Sequence, residues 1–311
     1  VIFGVIGIGS MGRNHVRVLS EIKKVDKILI YDKNKKIAEE IANKFDAIIT
    51  KSVEELIRKS DAISICVPTS LHYKYTKTCI ESEKHTFVEK PLASSLDEGK
   101  RLQELLKTKK IIFGVGHIER FNPIIPEIVK LNLDIEYVDI KRHNPASSRI
   151  SDASVVEDLM IHDIDIVFNV LLPKKKKYEV HSAGNENVVQ SLIDFGGATI
   201  SLSASRISSK KIRKIYIENS EMTIEGDFMS QELYLYKQPS TYQLTDERYV
   251  QENIIEKVLI NKVEPLKVEL KTFVDCIDEN QEFPVTVDEA VKNLKICEII
   301  KNQIRTRRFR S

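Results

Sequence analysis

Lys90, in the triplet Glu89-Lys90-Pro91, stands directly after a short β-branched run. Such a lysine can be a plain loop residue, or it can hold a proton beside a reacting oxygen. Asp158, His162, Asp165 and Asn169 recur at i, i+4, i+7 and i+11, which puts them on one stripe of a helix. An aspartate and an imidazole one turn apart suit proton transfer, although an exposed Asp158/His162 pair on a surface helix fits the same spacing. The third group is Gly7-Ile8-Gly9-Ser10-Met11-Gly12, which follows the apolar run Ile2–Ile6 and opens a helical stretch. Its glycines permit a tight turn, a close backbone approach to a pyrophosphate, and close helix-to-strand packing. Asp32 ends the next apolar run 20 residues after Gly12, where a carboxylate can accept ribose hydroxyls. That carboxylate repels a 2′-phosphate, so NAD is favoured over NADP, with Lys33 as a partial offset.

These groups need a frame. Runs at Ile2–Ile6, Lys27–Tyr31, Ala62–Val67, Thr86–Val88 and Ile111–Val115 alternate with amphipathic stretches, the pattern of an α/β doubly wound parallel sheet. Lys90, and the stretch Pro68-Thr69-Ser70-Leu71-His72 after the Ala62 run, then fall at the carboxyl edge, where open α/β sheets bind ligands. After Asn122-Pro123 the rhythm changes to one helical segment, Ser154–Leu171, followed by alternating strands that include Ala198–Ser205, Lys214–Glu218 and Glu232–Tyr236. This predicts a first domain over 1–120 and, over 121–311, an α+β domain with an open, mostly antiparallel sheet. Helix returns over Val263–Ile304, around a turn at Phe283-Pro284, and this C-terminal helix is expected to pack back toward the first domain.

With 311 residues, 42% hydrophobic and 30% charged, the chain can bury two cores, which excludes intrinsic disorder. Forty-eight basic against 46 acidic residues leave a net charge of +2, so no global field directs it to nucleic acid or to a membrane surface. The four cysteines form no CxxC pair, which predicts a reduced, cytoplasmic protein without structural metal. No apolar run approaches the length of a membrane span, and no targeting signal is read.

The glycine motif, Asp32, Pro68-x-x-x-His72, Glu89-Lys90-Pro91 and Asp158-x-x-x-His162, in this order, resemble the glucose-fructose oxidoreductase, inositol dehydrogenase and rhizopine catabolism (Gfo/Idh/MocA) family. The resemblance is dense over 1–125 and clear again at 155–170. It implies an NAD-dependent sugar oxidoreductase in which Gly7, Ile8, Gly9, Ser10, Met11, Gly12, Asp32, Lys33, Pro68, Thr69, His72, Glu89 and Lys90 hold the cofactor. Lys90, Asp158 and His162 then act on the substrate, with either Lys90 or His162 as proton acceptor. Departures from the family pattern are Thr69 for Asn, Glu83 for Gly and Met160 for Gly.

Gly116-His117-Ile118-Glu119-Arg120-Phe121-Asn122-Pro123 resembles a branch acting on nucleotide sugars, chiefly at C3 of UDP-N-acetylglucosamine. A diphosphate wants cations, and Arg120, Arg142 and Arg149 are the candidates. With Asn122 and Asp165, Arg120 completes the expected substrate set. An inositol or free-sugar dehydrogenase, and a non-catalytic NAD-binding regulator, are the alternatives. The family also implies a homodimer or homotetramer, and the exposed face of the second sheet is a natural surface for it.

Overall fold

The computed structural model describes residues 1–145, 153–238, 242–245, 248–251 and 254–308. It divides into two compact units, one of Val1–Phe121 with Glu264–Glu298 and the other of Asn122–Val263 with Ile299–Ser311.

The first unit alternates β1 (Ile2–Ile6), α1 (Ser10–Ser20), β2 (Lys27–Tyr31), α2 (Lys35–Phe45), β3 (Ile48–Ile49), α3 (Val53–Lys59), β4 (Ala62–Ile65), α4 (His72–Glu81), β5 (His85–Glu89), α5 (Leu96–Leu106) and β6 (Phe113–Gly116). All pairings are parallel, in the order β3-β2-β1-β4-β5-β6. Strand order therefore reverses between β1 and β4, the point where such sheets open a crevice. Continuous apolar strands follow from burial on both faces: Phe3, Val5, Ile30, Ile63, Ile65, Phe87 and Val88 are fully enclosed. Asn34, Ser52 and Ser95 cap α2, α3 and α5 by accepting from the backbone N–H three residues on. Glu83 takes a left-handed φ of 55° in the turn before β5, the conformation that favours the glycine of the family pattern.

The second unit holds α6 (Ile124–Lys130), β7 (Tyr137–His143), and a helical run whose centre is α7 (Ile161–Asp165). The sequence predicts one regular helix over 154–171. The structure flanks α7 with wider π turns at Val156–Met160 and Ile166–Leu171, a form that often marks functional sites. There follow β8 (Glu179–Gly184), β9 (Val188–Asp194), β10 (Thr199–Ser205), β11 (Ile212–Glu218), β12 (Met222–Asp227), β13 (Glu232–Lys237), the hairpin β14 (Tyr242–Thr245) and β15 (Arg248–Gln251), and β16 (Ile254–Lys257). Eight strands form a mixed sheet, β16-β13-β12-β11-β7-β10-β9-β8, in which only β7 and β10 pair in parallel. Val138, Ile140, Ile200, Leu202, Ile215, Ile217 and Ile224 line its buried face. At the β8 edge the Gln303 side chain accepts from the Ser182 N–H and donates to the Val180 carbonyl.

The last helices are α8 (Pro265–Glu279) and α9 (Val287–Arg308). The sequence reading placed all of 121–311 in the second domain, with only a return of the C-terminal helix toward the first. Residues 264–298 in fact cluster with the first unit. The cause is aromatic: Phe273 lies 5.3 Å from Phe87, 5.5 Å from Phe283 and 6.2 Å from Phe3, each pair edge to face. Such pairs add about 0.5–1.5 kcal/mol each beyond their burial. Among the described residues no helix is long and apolar enough to cross a membrane, and no group of His, Cys, Asp and Glu could hold a metal ion.

Candidate active site

The glycine turn is dictated by main-chain contacts. Gly7 has φ 88°, and its N–H donates to the Tyr31 carbonyl. A Cβ on Gly12 would sit 1.9 Å from the Gly7 carbonyl oxygen, so only glycine lets α1 start this close to β1. Around a Cβ on Gly9 there is nothing within 4 Å, and Gly9 caps α1 without a side chain. The first turn of α1, with Ser10 and Met11, thus presents uncapped N–H groups beside open space, the environment a pyrophosphate requires.

Asp32 is fixed by the backbone on both oxygens. Oδ2 accepts from the Ile8 N–H at 2.6 Å and Oδ1 from the Asn34 N–H at 2.8 Å. The N–H of Ile8, a residue expected in the cofactor site, is given to Asp32. A carboxylate has about four acceptor sites, so about two remain for ribose hydroxyls. A cavity of about 280 Å³ lies here, lined by Gly7, Gly9, Tyr31, Asp32, Lys33, Cys66, Val67, Pro68, Leu71 and Tyr75 among others. It sits at the carboxyl ends of β1, β2 and β4, where strand order reverses. The glycine cradle, helix terminus and anchored carboxylate fit a dinucleotide.

Lys90 is half-buried at the end of β5, and its bond to Pro91 is cis. Glu89, before it, is buried and accepts from His15 at 2.8 Å, while the other ring nitrogen of His15 lies 2.7 Å from the Ser64 hydroxyl. Ser64 in turn lies 3.5 Å from Cys66 Sγ. Burial alone would push the His15 pKa down, but Cys66 and Glu89 outweigh it and hold His15 well above the ordinary 6.5. Burial would likewise raise Glu89, and the bond and charge of His15 bring it below 4.5. His15 is therefore drawn toward its protonated form beside the Glu89 carboxylate, and the sequence reading missed the pair.

His72 was expected to touch cofactor. Its ring instead lies 2.7 Å from the Pro91 carbonyl and 2.9 Å from the Val67 carbonyl, fully enclosed. Burial holds its pKa below 6.5 against the pull of both carbonyls, so the neutral ring donates to one of them at a time. Thr69 lies in a short turn before α4, where its carbonyl accepts from the Ser94 hydroxyl at 3.1 Å.

In the second unit Asp158 is buried with Arg206, whose guanidinium is 3.9 Å away and also donates to the Ala153 carbonyl at 2.9 Å. His162 is half-buried on α7. Next to it Asp163 is fully buried, accepting twice through Oδ1 from Arg142, at 2.9 and 2.7 Å. The Arg142 guanidinium also lies over the Phe228 ring, 5.3 Å from its centroid.

The expected substrate set is largely committed elsewhere. Arg120 donates to Glu289 at 2.9 Å and to the Pro284 carbonyl at 3.1 Å, with about a tenth of its side chain exposed. It closes a turn, and Arg142 is paired with Asp163. Asn122 donates to the Phe228 carbonyl at 3.0 Å, and Asp165 accepts from Asn169 at 3.0 Å. Arg149 lies outside the described residues.

Residues 1–117 match the family model GFO_IDH_MocA, described as an oxidoreductase family with an NAD-binding Rossmann fold. UDP-N-acetylglucosamine 3-dehydrogenase of Acidithiobacillus ferrooxidans is 27% identical over 241 residues, spanning 75% of this chain and 76% of that protein. Its solved structure matches with a TM-score of 0.86 over 98% of both chains, at 22% identity. Glucose-6-phosphate 3-dehydrogenase of Bacillus subtilis is 26% identical over 60% of this chain and 58% of its own. Levoglucosan dehydrogenase, solved with NADH and levoglucosan, has a TM-score of 0.83 at 18% identity, covering 98% of this chain and 97% of its own.

Proposed function

This chain belongs to the Gfo/Idh/MocA oxidoreductase family, and from that premise we propose that it is an NAD-dependent dehydrogenase oxidising a secondary hydroxyl of a sugar, C3 of UDP-N-acetylglucosamine first among the candidates. The observation that carries the reading is a dinucleotide cradle and Lys90 on the same carboxyl edge of one parallel sheet. Bound in the cradle, NAD supplies the hydride acceptor. The first turn of α1 holds the pyrophosphate, and Asp32 takes the adenosine ribose. Lys90 donates a hydrogen bond to the hydroxyl oxygen as negative charge develops there. His162 is assigned as proton acceptor and Asp158 as the group that orients it, with Lys90 as the alternative acceptor.

The substrate assignment draws on the 27% identical relative and not on Arg120, which is tied to Glu289. Its test is NAD reduction with UDP-N-acetylglucosamine, N-acetylglucosamine, glucose 6-phosphate, myo-inositol and glucose. UDP-N-acetylglucosamine is expected to turn over, and N-acetylglucosamine only poorly. Turnover of another sugar with no response to UDP-sugars removes the nucleotide-sugar claim alone. Tight NAD binding without turnover of any sugar favours a non-catalytic NAD-binding regulator. Lys90→Ala and His162→Ala should each cost about 10²–10⁴ in rate. NAD should bind better than NADP, and Asp32→Ala should narrow the gap.

The open face of the eight-stranded sheet is the surface proposed for a homodimer or homotetramer. It carries a depression of about 480 Å³ among Tyr137, Asp139, Tyr216, Glu225 and Tyr234. Light scattering of the protein and of Tyr216→Glu tests it, and a monomeric parent protein would end the claim.

A further inference from the structure

We infer that His15 and His72 form a clamp that sets the position of Lys90, acting through Glu89 on one side and the Pro91 carbonyl on the other. The inference rests on the proposed role of Lys90.

Lys90 follows the last residue of β5, where ladder hydrogen bonds no longer fix the chain. Its two neighbours are held instead by two buried rings from different helices. Glu89 is gripped by His15 of α1, and that ring is itself pinned at its far nitrogen by Ser64 of β4. Pro91 is gripped by His72 of α4, which also reaches the Val67 carbonyl at the end of β4. Gly116 on β6 leaves the room this needs, since a Cβ there would meet Glu89 Oε2 at 3.0 Å. The His15 ring cannot turn without losing a bond, and the His72 ring is fully enclosed with a carbonyl at each nitrogen.

Stability alone is a weak reason for the arrangement. A buried ion pair is commonly no more stabilising than an apolar pair of the same volume. What an imidazolium and a carboxylate add is direction, because the bond holds Glu89 in one orientation. Cys66, Ser64 and Glu89 face His15, while His15, Lys90 and His72 face Glu89. The helices that supply the clamp also bound the cradle: α1 begins at Gly9, and Pro68 and Leu71 just before α4 line its cavity.

The test compares His15→Ala, His15→Gln and His72→Ala with the parent protein and Lys90→Ala. It reads kcat and KM, NADH affinity by fluorescence, melting temperature, and acylation of Lys90 by acetic anhydride, measured by mass spectrometry against Lys174. A reactive group displaced by about 1 Å loses about 10²-fold in rate. That loss of kcat is expected in both alanine variants, with NADH affinity unchanged and Lys90 acylation altered. His15→Gln, which can still donate to Glu89, should recover most of the rate. Parent-like kcat and acylation in His15→Ala and His72→Ala, or a His15→Gln as impaired as His15→Ala, overturn the clamp. If His15→Ala does not fold, His72→Ala carries the same expectation and the same refutation. Full turnover in Lys90→Ala overturns the role of Lys90 itself, which is a separate outcome.

Discussion

In the first unit the glycine turn and Asp32 are set by main-chain contacts, whereas on the run 156–171 of the second unit the assigned groups are side chains beside other side chains. Gly7, Gly9 and Gly12 act by lacking a Cβ, and even Asp32 is aimed by two backbone N–H groups. Asp158 answers to Arg206, and the neighbour of His162 answers to Arg142. A backbone-built site tolerates changes in the side chains around it and fails when a turn is blocked. A site built on ion pairs fails when one charge is removed, and it is restored when both are.

The largest expected effect tests the second half of that contrast. Arg142→Met leaves Asp163 charged and buried, which should cost about 3–5 kcal/mol, and adding Asp163→Leu should return most of it. Urea unfolding measures both variants. A single variant as stable as the parent protein would mean the pair does not hold α7.

Next comes the backbone side. Gly12→Ala forces apart atoms that would lie 1.9 Å from each other, and NAD affinity should fall at least about tenfold, or ~1.4 kcal/mol. Isothermal titration reads it, and unchanged affinity would show that the turn is not the cradle.

A pH effect crosses the contrast, since His15 and Glu89 are a buried side-chain pair beneath the main-chain site. His15 has a folded pKa raised above 6.5, so its contribution is complete below 6.5 and is lost as pH rises through the folded value. Glu89 is lowered below 4.5, so its contribution is present above 4.5 and is lost as pH falls through its folded value. Melting temperature should therefore decline as pH rises past 6.5, and His15→Gln should flatten that limb. An identical pH profile in His15→Gln would place the dependence elsewhere.

The smallest effect concerns a turn alone. Glu83 occupies a left-handed φ of 55°, so Glu83→Gly should gain about 0.5–1 kcal/mol. A loss of stability would mean that the Glu83–Lys109 ion pair at 3.0 Å outweighs the backbone.

The same contrast explains what could be read in advance. The glycine spacing, Asp32 and the place of Lys90 after a strand are local, so a period and a turn preference reveal them. The pairing of His15 with Glu89 spans 74 residues and depends on α1 lying across β4 and β5. A histidine among Val16, Val18 and Leu19 on an inward helix face was the available signal. Arg120 and Arg142 read as free cations because nothing in a linear sequence marks Glu289 or Asp163 as their partners. The return of 264–298 to the first unit rests on Phe273 and Phe283 meeting Phe87, a match of shapes and not of spacing. The π turns around α7 left no trace in the apolar pattern.

Gln303 stands where a ninth strand would pair, its amide taking one acceptor, the Val180 carbonyl, and one donor, the Ser182 N–H, of those along β8. The amide thereby blunts that edge against templated growth. Shortening α9 before Gln303 would bare the Val180 carbonyl and the Ser182 N–H, and the shortened protein would acquire an adhesive edge open to chain-to-chain β-polymerisation.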